Sequence, residues 1–314
     1  MAGRDLDVAS YAFVGDDVES PEAVKALAGC EILVGEPGVC APLIERCPKL
    51  VWMQSTFAGC NPLLEVPRRD YIVTRLAGQL GADMAEYTAL HVLALERGLQ
   101  AQHERQTRCE WIGAREPGGT YRRLSSLTLG VLGLGDLGSE IARALRVGFG
   151  MRVVGCRRDP SPAPRDEASG VAGVYGIDAL PDFLSGCDYV LSVLPSTAET
   201  RGLLDGDALA ACASRQPRPP ALINVGRGDL VSEAGVVAAL DRGWISHYVG
   251  DVFVPEPLPA ASPLWGHPKV TVTPHVSAIT MPDDVAAAFA DNLSRFEEGG
   301  VVALRHRFRW DAGY

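Results

Sequence analysis

Three glycines at the spacing GxGxxG, Gly133-Leu134-Gly135-Asp136-Leu137-Gly138, follow the apolar run Leu127 to Leu132 and open a helical pattern near the middle of the chain. In such a turn the first glycine permits the tight bend, the second lets backbone approach a ligand, and the third lets helix and strand pack closely. Ser139 to Val147 continues as a helix, with Ile141, Ala142, Leu145 and Arg146 at helical spacing, and a second strand follows at Arg152 to Cys156. Unpaired N–H groups and the helix dipole at that N-terminus favour a pyrophosphate. Glycine-rich turns also occur for purely structural reasons. The strand-turn-helix-strand context favours dinucleotide binding, and the central position implies two domains.

The 314 residues suffice for two ordinary cores. A net charge of −10 argues against a broad basic surface for nucleic acid, so an anionic ligand must be met by a few local arginines. The eight cysteines form no CxxC pair and no zinc-like grouping with histidine, and no metal is expected. With no secretory leader at Met1-Ala2-Gly3-Arg4-Asp5 and no apolar run that could span a bilayer, a reduced, cytoplasmic protein is expected.

Before the glycine loop, strands are expected at Ala9 to Val14, Ile32 to Gly35, Leu50 to Gln54 and Tyr71 to Thr74. Helical segments lie between them, as at Pro21 to Ala28 and Pro42 to Cys47. Asp83 to Arg108 gives the longest helical pattern, with Met84, Tyr87, His91, Leu95 and Leu99 on one face, suited to bridging domains or pairing with a second subunit. After the loop, strands at Leu127 to Leu132, Arg152 to Cys156, Tyr189 to Val193, Leu222 to Val225, Tyr248 to Val252 and Val270 to Thr273 alternate with helices at Gly138 to Val147, Leu180 to Leu184, Asp205 to Ala213 and Ser232 to Asp241. The class is therefore α/β, with a Rossmann-type doubly wound parallel sheet plus a smaller, flavodoxin-like α/β domain. A last helix, Pro282 to Glu298, is expected to pack back on the first domain. The expected division is 1–98 with 284–314 as a discontinuous substrate domain and 99–283 as the dinucleotide-binding domain. Arg215 to Pro220 is expected to be a surface loop.

The end of the second strand of the unit bears on the cofactor. A carboxylate there would accept hydrogen bonds from ribose hydroxyls, whereas this chain has Arg157 and Arg158. Guanidinium groups pair with phosphate through fork-like bonds, which favours NADP(H) over NAD(H). The plainer alternative is that both arginines begin a solvated loop.

Ligands of such sheets bind beyond the carboxyl ends of the strands. There the sequence places Gly226-Arg227-Gly228, then Phe253 to Glu256, then Pro274-His275. Glycines beside an arginine suggest close approach of a ligand. Glu256 between prolines could be a turn residue, and His275 could cap or pack; together on one edge they suggest chemistry.

LGVLGLGDLGSEIAR, INVGRGDLV, GDVFVPEPLP, SPLWGHP and VTPHVSA together resemble the D-isomer-specific 2-hydroxyacid dehydrogenases over essentially the whole chain. VWMQSTFAGCNPLL resembles the branch that reduces glyoxylate and hydroxypyruvate. The resemblance implies that Arg227 holds the substrate carboxylate and carbonyl oxygen, His275 exchanges the proton, and Glu256 orients its ring. It implies substrate contacts from Phe57, Ala58 and Gly59. It also implies cofactor contacts from Gly133, Gly135, Asp136, Leu137, Gly138, Arg157, Arg158, Pro195, Thr200 and Val225, with Asp251 on the nicotinamide amide. The expected partner is a short 2-oxoacid, the expected assembly a homodimer, and neither nucleic acid nor membrane is implied. Tyr248, where relatives commonly carry a small residue, is expected to perturb strand packing. A dinucleotide-sensing interaction protein on the same fold is the alternative.

Overall fold

Every strand of both sheets runs parallel to its neighbours. The computed structural model describes residues 20–113, 120–215 and 217–314, so the strand expected at Ala9 to Val14 lies outside the described residues. The chain divides into two units, one ending at Ala77 and resuming as Thr280–Tyr314, the other Gly78–Ile279.

In the first unit, helix α1 (Pro21–Gly29) starts at Ser20, whose hydroxyl accepts from the Ala23 N–H at 3.2 Å, and Pro21 needs no partner for its nitrogen there. Strands β1 (Ile32–Gly35), β2 (Trp52–Ser55) and β3 (Ile72–Thr74) pair in that order, and α2 (Pro37–Cys40) follows β1. The segment expected as a helix at Pro42 to Cys47 is a 3-10 turn, Ala41–Arg46. The C-terminal helix Pro282–Gly299 belongs to this unit: Phe289 stacks on the buried Trp52 with ring centres 5.3 Å apart, and Phe296 lies tilted to it at 5.7 Å. Asn292 donates to Gln54 Oε1 at 3.2 Å, and Gln54 also accepts from Thr74, so these buried amides are partnered.

The second unit opens with α3 (Gly81–Arg97) and α4 (Leu99–Thr107). The sequence pattern suggests one long helix here, but Gly98 takes a left-handed conformation (φ 58°) and returns its N–H to Ala94 and Leu95. Glycine pays no Cβ penalty there, so the helix ends. Of the face expected to be apolar, Tyr87 and His91 are buried while Leu99 is exposed. α3 packs on α5 within the second unit, and for that reason the division falls before α3, not after it as the sequence pattern suggests.

Strands β4 (Thr128–Leu132), β5 (Arg152–Cys156), β6 (Val174–Tyr175), β7 (Tyr189–Ser192), β8 (Ala221–Asn224), β9 (His247–Gly250) and β10 (Val270–Val272) form one sheet. Its order is β10-β9-β8-β7-β4-β5-β6, which reverses direction between β4 and β7, the switch point at which a doubly wound sheet opens its crevice. Helices α5 (Asp136–Phe149), α6 (Pro164–Ser169), α7 (Leu180–Ser185) and α8 (Glu233–Asp241) connect the strands. The helix expected at Asp205 to Ala213 is a 3-10 segment, Ala208–Ser214. Among the described residues no helix is long and apolar enough to cross a membrane.

The amino ends of the strands carry an ion cluster. Glu96, 5% exposed, meets Arg122 at 2.6 Å, the Tyr189 hydroxyl at 2.7 Å and Arg218; Asp188, 3% exposed, meets Arg122 at 2.8 Å and Arg215 at 2.6 Å. The segment expected to be a plain surface loop thus contributes Arg215 and Arg218 as clamps that tie the end of α3 to the sheet. Burial pushes the Glu96 carboxyl up, but Arg122, Tyr189 and Arg218 together hold it below the usual carboxylate range. Glu96→Gln leaves the guanidiniums short of a charged partner and should cost about 2–4 kcal/mol, less than a fully dry pair because Arg218 is partly exposed. As pH falls the unfolded chain takes the Glu96 proton first. The stabilisation is therefore whole above about pH 5 and declines below about pH 4, so the variant should lose less stability than the parent over that acid range in denaturation curves read by circular dichroism.

Candidate active site

Parallel register carries one line across the large sheet: Leu132 pairs with Ser192, Ser192 with Asn224, Asn224 with Gly250, and Gly250 with Val272. Gly133 follows this line directly, and Arg227 and His275 each stand three positions beyond it, after β8 and β10. The glycine loop, the arginine and the histidine therefore share one rim.

At the start of α5, Gly133 takes φ 104°, and a Cβ on Gly138 would lie 2.2 Å from the Gly133 carbonyl oxygen. Gly135 has open space at that position, and the Ser139 hydroxyl, in the first turn of α5, is buried without a hydrogen-bond partner. This cradle of close backbone and an orphaned polar atom fits a dinucleotide pyrophosphate. Asp136, at the helix start, pairs with Arg165 at 3.4 Å, and Leu137 follows, half-buried.

The two arginines after β5 differ. Arg157 grips the Asp166 carboxylate with both terminal nitrogens, at 2.6 and 2.7 Å, and donates to the carbonyls of Asp159 and Ser161, so it builds the β5–α6 loop. Its guanidinium in turn holds the Asp166 carboxyl below the usual range. Arg158 is exposed. After β7, the Thr200 hydroxyl donates to the Pro195 carbonyl at 2.6 Å and accepts from the Thr197 N–H at 2.8 Å, which sets the shape of that loop. Val225 is buried, its N–H bonded to the Ser192 carbonyl.

The glycines beside Arg227 each admit protein backbone. A Cβ on Gly226 would meet the Leu194 carbonyl oxygen at 2.6 Å, and one on Gly228 the Phe253 carbonyl carbon at 2.3 Å. Three strand-end loops thus press together around a half-buried Arg227, whose Nη1 donates to the Gly226 carbonyl at 2.7 Å. Asn224 completes the turn: its amide donates to the Arg227 carbonyl at 2.9 Å and its oxygen accepts from the Gly226 N–H. Tyr248 does not perturb the strand. Its ring lies over Gly250, where a Cβ would come within 2.6 Å, and its hydroxyl bonds Asn224; burial pushes that hydroxyl up to about 12.

His275 Nδ1 lies 2.9 Å from Glu256 Oε2, while Glu256 Oε1 accepts from the Phe253 N–H at 2.8 Å, so the carboxylate is fixed as it orients the ring. The His275 backbone is left-handed (φ 55°), which costs a non-glycine residue about 1–2 kcal/mol. Asp251, fully buried, opposes that cost. Its carbonyl accepts from the His275 N–H, Oδ1 from the Thr273 hydroxyl at 2.6 Å and the Val276 N–H at 2.9 Å, and Oδ2 from the Ser277 N–H at 2.9 Å. Charge-assisted bonds of this kind are worth about 1.5–3 kcal/mol each, enough to over-determine the loop.

In the first unit, the Phe57 N–H is taken by the Ser55 hydroxyl at 3.0 Å and its carbonyl by the Leu76 N–H, while Ala58 and Gly59 are half-buried. Sequence reasoning missed Asn224 and Thr273, although a polar residue closing an apolar strand is a usable signal. Nothing local singles out Tyr87, which meets Thr273 across 186 residues.

Residues 89–277 match the family model described as D-isomer specific 2-hydroxyacid dehydrogenase, NAD binding domain. The chain is similar to the glyoxylate/hydroxypyruvate reductase A of Photorhabdus laumondii subsp. laumondii, 37% identical over 72% of this chain and 69% of the relative. Among solved structures it is similar to a D-isomer specific 2-hydroxyacid dehydrogenase family protein from Aeromonas salmonicida, with 38% identity, a TM-score of 0.80, and 92% and 88% of the two chains covered. It is also similar to an NADPH-dependent glyoxylate/hydroxypyruvate reductase from Sinorhizobium meliloti in complex with NADP and sulfate, with 30% identity, a TM-score of 0.76, and 91% and 87% covered.

Because a Cβ at Gly138 meets a backbone oxygen that cannot retreat, Gly138→Ala should push α5 away from the turn. A strain of about 1–3 kcal/mol corresponds to a roughly tenfold to hundredfold weaker dinucleotide, measurable by fluorescence titration with NADPH.

Proposed function

Because the chain belongs to the D-isomer-specific 2-hydroxyacid dehydrogenase family, we propose that it is an NADPH-dependent reductase of short 2-oxoacids such as glyoxylate and hydroxypyruvate. The reading is supported most by the single rim that holds the glycine cradle, Arg227 and the His275–Glu256 pair.

Gly133, Gly135, Asp136, Leu137 and Gly138 would hold the pyrophosphate, and Pro195, Thr200 and Val225 would line the cofactor path. When bound, the nicotinamide supplies the hydride. Arg227 takes the substrate carboxylate and carbonyl oxygen, and its positive charge draws electron density from the carbonyl carbon. Glu256 accepts the Nδ1–H of His275, which leaves Nε2 to give its proton to the forming alkoxide and to take it back in the reverse direction. Phe57, Ala58 and Gly59 are assigned to substrate by resemblance, with the N–H groups of Ala58 and Gly59 as donors, since that of Phe57 is already used.

NADP(H) preference rests on Arg158, exposed after β5, as the group for the 2′-phosphate, with Arg157 shaping the loop through Asp166. The protein is proposed to act in the cytoplasm as a homodimer. Eight cysteines without a disulfide among them suit a reducing compartment, and Leu90 and Leu99 of α3 and α4, both 56% exposed, offer apolar surface for a second copy.

His275→Ala should lower kcat for glyoxylate reduction by about 10²–10⁴ with NADPH affinity unchanged. A wild-type protein that binds NADPH yet turns over none of glyoxylate, hydroxypyruvate and pyruvate would instead favour a dinucleotide sensor. Arg158→Asp should raise KM for NADPH roughly tenfold or more and leave that for NADH within about twofold, in keeping with the loss of a charge-assisted contact. An unchanged NADPH preference would remove Arg158 from the phosphate site.

A further inference from the structure

Helix α3 reaches the loop of the proposed acid through a file of hydroxyls. The Tyr87 hydroxyl lies 2.6 Å from Thr273 Oγ1, and Thr273 Oγ1 lies 2.6 Å from Asp251 Oδ1. The carboxylate can only accept, so the single O–H of Thr273 is spent on Asp251, and Tyr87 must donate to Thr273. Burial pushes the Tyr87 hydroxyl well above its ordinary value, which keeps that donor protonated. The Tyr87 ring is itself braced by His91, 4.4 Å away between centroids on the next turn of α3, and both side chains are buried.

Asp251 is the hub. The oxygen that takes the Thr273 hydroxyl also takes the Val276 N–H, its other oxygen takes the Ser277 N–H, and its backbone carbonyl takes the N–H of His275. These bonds bracket the left-handed residue 275 on both sides. Rotation of the Asp251 carboxylate would shift both amides that follow the imidazole. Thr273, itself held by Tyr87, restrains that rotation through the same oxygen that takes the Val276 N–H.

We infer that Tyr87 and Thr273 are positioning residues for catalysis: through the buried Asp251 carboxylate they hold the His275 loop at the angle that aims the imidazole at substrate. The inference rests on the assignment of His275 as the proton donor. Neither side chain touches the reacting atoms, and both act by fixing where the acid sits. A positioned group displaced by about 1 Å can lose a hundredfold in rate, so removal of the restraint is expected in kcat and not in cofactor binding.

The test compares Thr273→Val, Thr273→Ser, Tyr87→Phe, the Tyr87→Phe/Thr273→Val pair and His275→Ala, with glyoxylate as substrate. kcat, KM, NADPH affinity and thermal midpoint are measured for each. Thr273→Val, which keeps the shape and loses the hydroxyl, should drop kcat about tenfold to a hundredfold with KM and NADPH affinity within about twofold. Thr273→Ser should restore most of the rate, since it returns the hydroxyl. Tyr87→Phe should lower kcat in the same sense, and the pair should be no slower than Thr273→Val alone, because both changes cut one file. If Thr273→Val fails to fold, Tyr87→Phe alone carries the measurement, and a wild-type kcat there overturns the inference. It is also overturned if Thr273→Ser is as slow as Thr273→Val, since the methyl and not the hydroxyl would then matter. A dead His275→Ala beside a fully active Thr273→Val overturns the file and leaves the acid standing. Full turnover in His275→Ala overturns both.

Discussion

A parallel sheet ends all its strands at one rim, and everything proposed for this protein depends on that geometry. Because Leu132, Ser192, Asn224, Gly250 and Val272 lie in register, residues far apart in the chain leave the sheet side by side. The central strands β4, β7 and β8 are buried along their whole length and mostly apolar, as a sheet covered on both faces requires. Polar side chains therefore concentrate where backbone pairing stops, and two of the buried ones there shape the loops of the site. Asn224 ties down the turn of Arg227, and Asp251 ties down the loop of His275.

Charge is treated oppositely at the two ends of the same sheet. At the amino ends Glu96 and Asp188 are enclosed by Arg122, Arg215 and Arg218, and the bonds close on one another. At the carboxyl ends the imidazole of His275 has one nitrogen fixed to Glu256 and remains half exposed. Satisfied charges stiffen a structure, whereas charges held in place and left accessible can act on a ligand. Arg157 and Arg158 differ although adjacent: the first grips Asp166 in the β5–α6 loop, and the second is exposed.

Close packing explains several glycines that resemble ligand-binding positions. Gly226 and Gly228 admit the backbone of Leu194 and Phe253, and Gly250 admits the ring of Tyr248. Loops from three strands can then crowd around one arginine without a gap. Within the glycine turn, by contrast, Gly135 has open space beyond the missing Cβ, as a ligand would need.

Much of this was legible in the residues themselves. The order of strands and helices, the glycine turn, and the trio Arg227, Glu256 and His275 follow from apolar periodicity and from what stands just after each strand, because those signals are local. Boundaries drifted where backbone conformation overrode composition: Gly98 ends α3 by turning left-handed, and residues 208–214 wind as a 3-10 segment. Contacts between distant segments were not legible. That Arg157 is taken by Asp166, that Arg215 and Arg218 close an ion cluster, and that Tyr87 reaches Thr273 depend on which side chains meet after the helices dock on the sheet. The linear chain determined which chemical groups stand at the rim; only the packed structure decided which of them are bound to one another and which stay exposed, because hydrogen-bond partners are chosen by proximity in space and not by spacing along the backbone.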